Sequence, residues 1–224
     1  QRVQLERWSE RAKAVYNENA RRRGRRFDVL QQLWIAEQFA DDGAIYFPHT
    51  LDFRGRIYPV PPLVNPQADD LGRALLEFAE GKPLGETGAY WLAVHIANTF
   101  GFDKAPLDER VAWVKEHEGD ILDSALRPLD GEQWWTEADK PWSFLAACME
   151  WAGYLMTGPD YVSHIPVQMD GTCSGLQHYS AMLRDPVGGR EVNLLPMPEG
   201  QPKADIYQTV ADKVIARLHE GEEG

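Results

Sequence analysis

Apolar residues return every three or four positions along most of this 224-residue chain, and a glycine or proline closes almost every run. That spacing lays an apolar stripe along a helix, so a mostly helical fold is predicted. Leu5, Trp8, Ala12, Val15 and Tyr16 mark a first helix that Gly24 interrupts, and Phe27, Leu30, Leu33 and Trp34 begin a second. Asp69 or Asp70 can cap a third, with Leu71, Leu75 and Phe78 on its core face and Gly81 at its end. Further helices are predicted over 87–99 (closed by Gly101), 108–117, 120–126, 142–157 and 176–183. The last covers 205–219, with Ile206, Val210, Val214 and Leu218 on one face. Trp134 and Trp135 read as core or loop anchors rather than a stacking platform.

The period changes in two places. Segments 44–47 and 56–60 are short β-prone pieces around the turn-like Asp52-Phe53-Arg54-Gly55-Arg56, before a proline-rich loop over 59–66. Later, Ile165, Val167 and Met169 alternate with Pro166 and Gln168, the pattern of a strand with one buried face. That strand is expected to deliver Asp170 at its C-terminal end, into Gly171-Thr172-Cys173-Ser174-Gly175. The class is therefore α+β. Three segments are expected: a helical 1–43 with a basic arginine cluster, 44–160, and a strand–turn–helix followed by a last helix over 161–224.

Composition removes several classes. With 43% hydrophobic residues and eight Trp the chain is globular rather than disordered, and no apolar run approaches the roughly 20 residues a membrane helix needs. Cys148 and Cys173 are too few for a disulfide framework or a zinc site, which makes a reducing compartment the default. The start, Gln1-Arg2-Val3-Gln4, has neither an initiator Met nor a signal-peptide core, so the chain reads as the interior of a longer protein. A net charge of −12 argues against nucleic acid, but Arg21, Arg22, Arg23, Arg25 and Arg26 cluster while acids dominate from Asp103 to Asp139. The cluster is either a local phosphate-binding surface or a solvated helix end.

A carboxylate at a strand end beside a glycine-rich turn can hold a hard cation, since magnesium takes oxygen ligands and only one or two protein carboxylates. Gly171 would let a backbone carbonyl reach the same ion. Spacing by itself favours a plain Asp-Gly turn. Cys173 and His178 could be nucleophile and base, but no third group is evident. Asp52 with Arg54 and Arg56 could be a local ion pair bracing a turn.

Taken together, two stretches resemble single-subunit, phage- or mitochondrial-type DNA-directed RNA polymerases. Tyr46-Phe47-Pro48-His49-Thr50-Leu51-Asp52-Phe53-Arg54-Gly55-Arg56-Ile57-Tyr58 is similar to that family's Asp-x-x-Gly-Arg region. Met169-Asp170-Gly171-Thr172-Cys173-Ser174-Gly175-Leu176-Gln177-His178-Tyr179-Ser180-Ala181 is similar to its motif A. Asn65-Pro66-Gln67, Gly81-Lys82-Pro83 and the run from Leu183 to Leu194 are similar in order and spacing.

The resemblance implies a right-hand polymerase fold of which this chain holds an incomplete palm. It implies that Asp170 binds two catalytic Mg2+ ions, that Gly171 lends a carbonyl to one, and that Arg56, with Asp52 and Arg54 beside it, contacts the template–RNA hybrid. Arg22 and Arg26 fall where the family has a basic segment near nucleic acid. Gly175, five residues past Asp170, stands where related DNA polymerases carry a bulky Glu against the ribose 2′-hydroxyl, which implies ribonucleotide use. The implied partners are a DNA template, an RNA transcript, ribonucleoside triphosphates and the C-terminal polymerase part, with no membrane. The implied location is host-cell cytoplasm for a phage source or the mitochondrial matrix for an organellar one. The family's His-Asp-Ser aspartate and its Lys–Tyr-Gly helix do not occur in these residues, so the chain is expected to be inactive by itself. A non-catalytic nucleic-acid- or regulator-binding module, or a DNA polymerase relative, are the alternatives.

Overall fold

A computed structural model describes residues 2–168, 171, 173–198, 201 and 203–222. The chain forms two compact units, Gln1–Asp103 with Val111–Pro166, and Lys104–Arg110 with Val167–Gly224. Helix dominates. Strand is confined, among the described residues, to two short two-stranded sheets.

The first unit opens with α1 (Arg2–Phe39), a single helix of 38 residues, about 57 Å long at 1.5 Å per residue. The predicted break at Gly24 does not occur. A glycine inside an exposed helix costs only about 1 kcal/mol, and the arginines on both sides are good helix formers. Trp8, Val15, Tyr16, Phe27, Leu30 and Trp34 stay exposed along it. Gln32 is the buried exception, donating through Nε2 to Leu63 O (3.1 Å) and Asp69 Oδ1 (2.7 Å).

A hairpin of β1 (His49–Leu51) and β2 (Ile57–Pro59) comes next, with Leu51 opposite Ile57. The first strand thus lies beyond the predicted 44–47, where the backbone is irregular. Then comes α2 (Asp70–Ala74), shorter than predicted, so that Phe78 lies outside it and exposed. Asp69 caps α2 through Gly72 N (3.0 Å). A Cβ on Gly72 would lie 2.5 Å from Leu63 O, so only glycine permits this close passage.

The core is built by α3 (Gly85–Phe100), α4 (Leu107–Glu116), α5 (Glu118–Leu126) and α6 (Pro141–Thr157). Leu92, Ile96 and Ala97 of α3 meet Val114, Ile121, Phe144, Ala147, Cys148 and Trp151. Each large side chain so buried contributes about 1.5–3 kcal/mol. Gly101 closes α3 in the left-handed conformation, as predicted. Trp135 is buried with Nε1 donating to Pro128 O (2.8 Å), and Trp134 packs on Phe100 at 4.4 Å, so both indoles are core. Asp70 reaches across 72 residues of sequence to accept from Trp142 N (2.8 Å) and from Ser143 Oγ (2.6 Å), capping α6.

His95 of α3 is buried, and burial, with the charge of Lys140 adding, pushes its imidazole from the ordinary 6.5 down to about 4. The folded state therefore keeps a neutral ring that the unfolded state protonates. Stability is complete above pH 6.5 and is lost as pH falls toward 4, by roughly 3 kcal/mol for this group between pH 7 and pH 4. Urea unfolding of the wild type and His95→Gln across that range measures it. If both lose stability in parallel, the acid sensitivity comes from elsewhere.

The unit ends with β3 (Lys82–Pro83) paired to β4 (Val162–Ser163). His164 anchors the chain as it leaves β4: Phe78 N donates to His164 O (2.8 Å) and His164 Nδ1 to Phe78 O (2.6 Å), while Ile165 packs on the core. The strand predicted over 165–169 is not formed at 165–168. Pro166 has no N–H to donate to a ladder, and Met169 lies outside the described residues.

In the second unit, α7 (Ser174–Leu183) turns at Arg184 into α8 (Pro186–Glu191), which Asp185 caps through Val187 N (2.9 Å). Asn193 then accepts from Ala204 N (2.9 Å) and donates to Ala204 O (2.8 Å), pinning the chain just before α9 (Ile206–Glu222). No described helix is long and apolar enough to cross a membrane.

Candidate functional site

The Asp52–Arg56 loop is a three-residue hairpin connection. Gly55 N donates to Asp52 O (3.0 Å), Asp52 N to Arg56 O (2.9 Å), and Gly55 takes φ 80°, which a side chain would strain. Asp52 organises it. Its Oδ1 accepts from Arg54 N (2.8 Å) and Arg56 N (2.9 Å), and its Oδ2 from Arg54 Nε (3.0 Å) and Nη2 (2.8 Å). The Arg56 N–H first, then the Arg54 guanidinium and N–H, hold its carboxyl below the usual carboxylate range.

The structure thus separates residues that the sequence groups together. Arg54 is committed within the loop: it pairs with Asp52, donates to Tyr58 Oη (3.2 Å) and lies 5.7 Å over the Phe53 ring. Arg56 is exposed, and its guanidinium makes no hydrogen bond or ion pair among the described residues. With Asp52 and Arg54 cancelling, Arg56 is the loop's net positive charge, beside Phe53, which is 98% exposed.

Two residues to which the sequence assigns no role hold this hairpin. Gln67 Nε2 donates to Ile57 O (2.9 Å), and buried Asn65 accepts from Gln67 N (2.7 Å) while donating to Pro61 O (2.7 Å). Asn-Pro at 65–66 is a turn signal that could have pointed to them. On α1, Arg21, Arg22, Arg23, Arg25 and Arg26 are all exposed. Arg22 and Arg26, four residues apart, share a face, and Arg22 meets Glu18 at 3.1 Å, a solvated pair worth a few tenths of a kcal/mol.

Asp170 lies outside the described residues. Gly171 is exposed, and among the described residues a Cβ there would meet Gln177 Oε1, at 3.6 Å. Gly175 occupies the first turn of α7, with no described residue within 4 Å of where a Cβ would stand. Cys173 is half-buried and His178 exposed, with no hydrogen bond joining them among the described residues. Cys148 is buried, which pushes its thiol well above the usual range and leaves it inert. No cluster of three metal-binding side chains occurs among the described residues.

The sequence model of the family described as DNA-dependent RNA polymerase matches residues 82–224, from β3 through α9. The chain belongs to that family. The chain is 47% identical over 213 residues to the DNA-directed RNA polymerase of enterobacteria phage K11, covering 95% of the chain and 23% of the relative. It is 46% identical over 207 residues to T7 RNA polymerase of Escherichia phage T7, covering 92% and 23%. It is also 46% identical over 215 residues to a mitochondrial DNA-directed RNA polymerase of Neurospora crassa, covering 95% and 15%. The chain therefore spans about a quarter or less of the length of these relatives. Both phage and organellar relatives align across the hairpin and α7.

Proposed function

We propose that this chain supplies one metal-binding carboxylate, the ribose-facing wall and part of the nucleic-acid surface of a template-directed RNA polymerase. The observation that carries the reading is the segment Asp170 to Gly175 inside the family match, with no described residue within 4 Å of a Cβ at Gly175. The donor set suits magnesium: a carboxylate and a backbone carbonyl are hard oxygen ligands, and the Gly171 backbone is accessible. When bound, two magnesium ions supply activation of the attacking 3′-hydroxyl and neutralisation of the departing pyrophosphate.

This chain's own residues then have separate tasks. Asp170 and the Gly171 carbonyl hold cations. Gly175 leaves room for a 2′-hydroxyl. Arg56 meets a phosphate of the template–RNA hybrid, with Arg22 and Arg26 adding charge along α1, while Asp52 and Arg54 shape the loop that presents Arg56. One carboxylate does not by itself fix two ions in the required geometry, and the His-Asp-Ser aspartate that the family supplies does not occur among these 224 residues, so the isolated chain is expected to be inactive.

The test is a chimera in which this chain replaces the matching segment of T7 RNA polymerase. It should synthesise RNA with DNA template, ribonucleoside triphosphates and Mg2+. A folded chimera that binds template without joining nucleotides would sink the catalytic reading. In the same protein Arg56→Ala should weaken primed-template binding and lower the slope of log affinity against log salt by about 1. An unchanged slope removes the phosphate contact.

A further inference from the structure

The arginine proposed to meet a phosphate sits on an element with little of its own to hold it. Every residue of β1 and β2 is exposed except Pro59, which is half-buried. A two-stranded hairpin with no buried apolar face is marginal in water, so its placement depends on ties from outside the strands. Gln67 supplies one at the residue after Arg56, its Nε2 donating to Ile57 O (2.9 Å). A carbonyl only accepts, so the amide has to present its NH2 group there.

Gln67 is itself held firmly. Its N–H donates to Asn65 Oδ1 (2.7 Å), and Asn65, 5% exposed, donates to Pro61 O (2.7 Å) and accepts at its own carbonyl from Ala68 N (3.1 Å). The same loop is fastened to α1 and α2: buried Gln32 donates to Leu63 O and to the carboxylate of Asp69, which caps α2. Asp70 then binds α2 to the first turn of α6. A run of hydrogen bonds thus leads from the helical core to the carbonyl beside Arg56, and Gln67 is its last link. We infer that Gln67 is a positioning residue for nucleic-acid binding, fixing through Ile57 where the hairpin presents Arg56. The inference rests on the reading of Arg56 as a phosphate contact. One neutral hydrogen bond lost corresponds to about 3- to 10-fold in an equilibrium constant.

The test uses the T7 chimera. Gln67→Met keeps the length and apolar stem but has no donor, and because Gln67 is exposed the melting temperature should barely move. The variant should speed amide hydrogen exchange over residues 49–60 and weaken primed-template binding by about 3- to 10-fold. It should also lower the salt slope part of the way toward that of Arg56→Ala. In the Arg56→Ala background the same substitution should change affinity by less than about 1.5-fold, because the charge it positions is gone; a merely structural loss would weaken both backgrounds alike. If Arg56→Ala itself leaves affinity and slope unchanged, the phosphate contact fails and the inference with it. If Arg56→Ala weakens binding while Gln67→Met stays within two-fold of wild type, or costs the same with and without Arg56, the contact stands and Gln67 has no positioning role. Unchanged exchange over 49–60 would equally overturn that role.

Discussion

Asp170→Asn in the T7 chimera is expected to lower single-turnover nucleotide addition at least about 1,000-fold while leaving primed-template affinity within about two-fold. The substitution keeps the volume of the side chain and one oxygen, but removes its negative charge and its second oxygen. A metal acting on developing phosphoryl charge is worth several kcal/mol, and each 1.36 kcal/mol is a factor of ten in rate, so a loss near 4 kcal/mol gives the stated size. In the proposed reading template affinity rests on arginines and not on this carboxylate, which is why the two measurements should part. A variant retaining more than a tenth of the wild-type rate would mean that Asp170 belongs to an ordinary turn, the reading that spacing by itself favours.

The helices were legible where their signals are local. Gly101 ends α3 and Pro141 opens α6 because a left-handed cap and a missing N–H each act on one turn. Gly24 misled for a related reason: its cost is small and local, and nothing at that point supplies an alternative to the helix. The segment 165–168 misled because alternation reports which faces a strand would present, not whether a partner is there to complete its ladder. Long-range capping was invisible. Nothing near Asp70 in sequence says that its carboxylate belongs to the first turn of α6, 72 residues away.

The Asp52–Arg56 loop was legible as a charged turn but not as a division of labour. Asp52, Arg54 and Arg56 sit close together in a short turn, and charge counting treats both arginines alike. Geometry separates them, because the Arg54 guanidinium hydrogen-bonds the Asp52 carboxylate while Arg56, just before β2, hydrogen-bonds it only through its N–H.

Gly175→Glu tests the ribose assignment, and its expected effect is a fall of up to about 100-fold in the preference for ribonucleoside over deoxyribonucleoside triphosphates. A side chain forced into a filled space costs about 1–3 kcal/mol, and the upper part of that range corresponds to two powers of ten. Because a deoxyribose lacks the 2′-hydroxyl that would collide, its kcat/KM should fall far less. The substitution is clean as far as the fold is concerned. No described residue lies within 4 Å of a Cβ at Gly175, and the position is in the first turn of α7. There a glutamate improves on glycine in helix propensity by several tenths of a kcal/mol and suits the positive end of the helix dipole. The melting temperature should therefore hold or rise, so a lost preference cannot be put down to a damaged helix. Gly175→Ala, with a single methyl group, should stay close to wild type. Equal use of ribonucleotides by the glutamate variant and the wild type would show that the space beside α7 is not where the sugar sits.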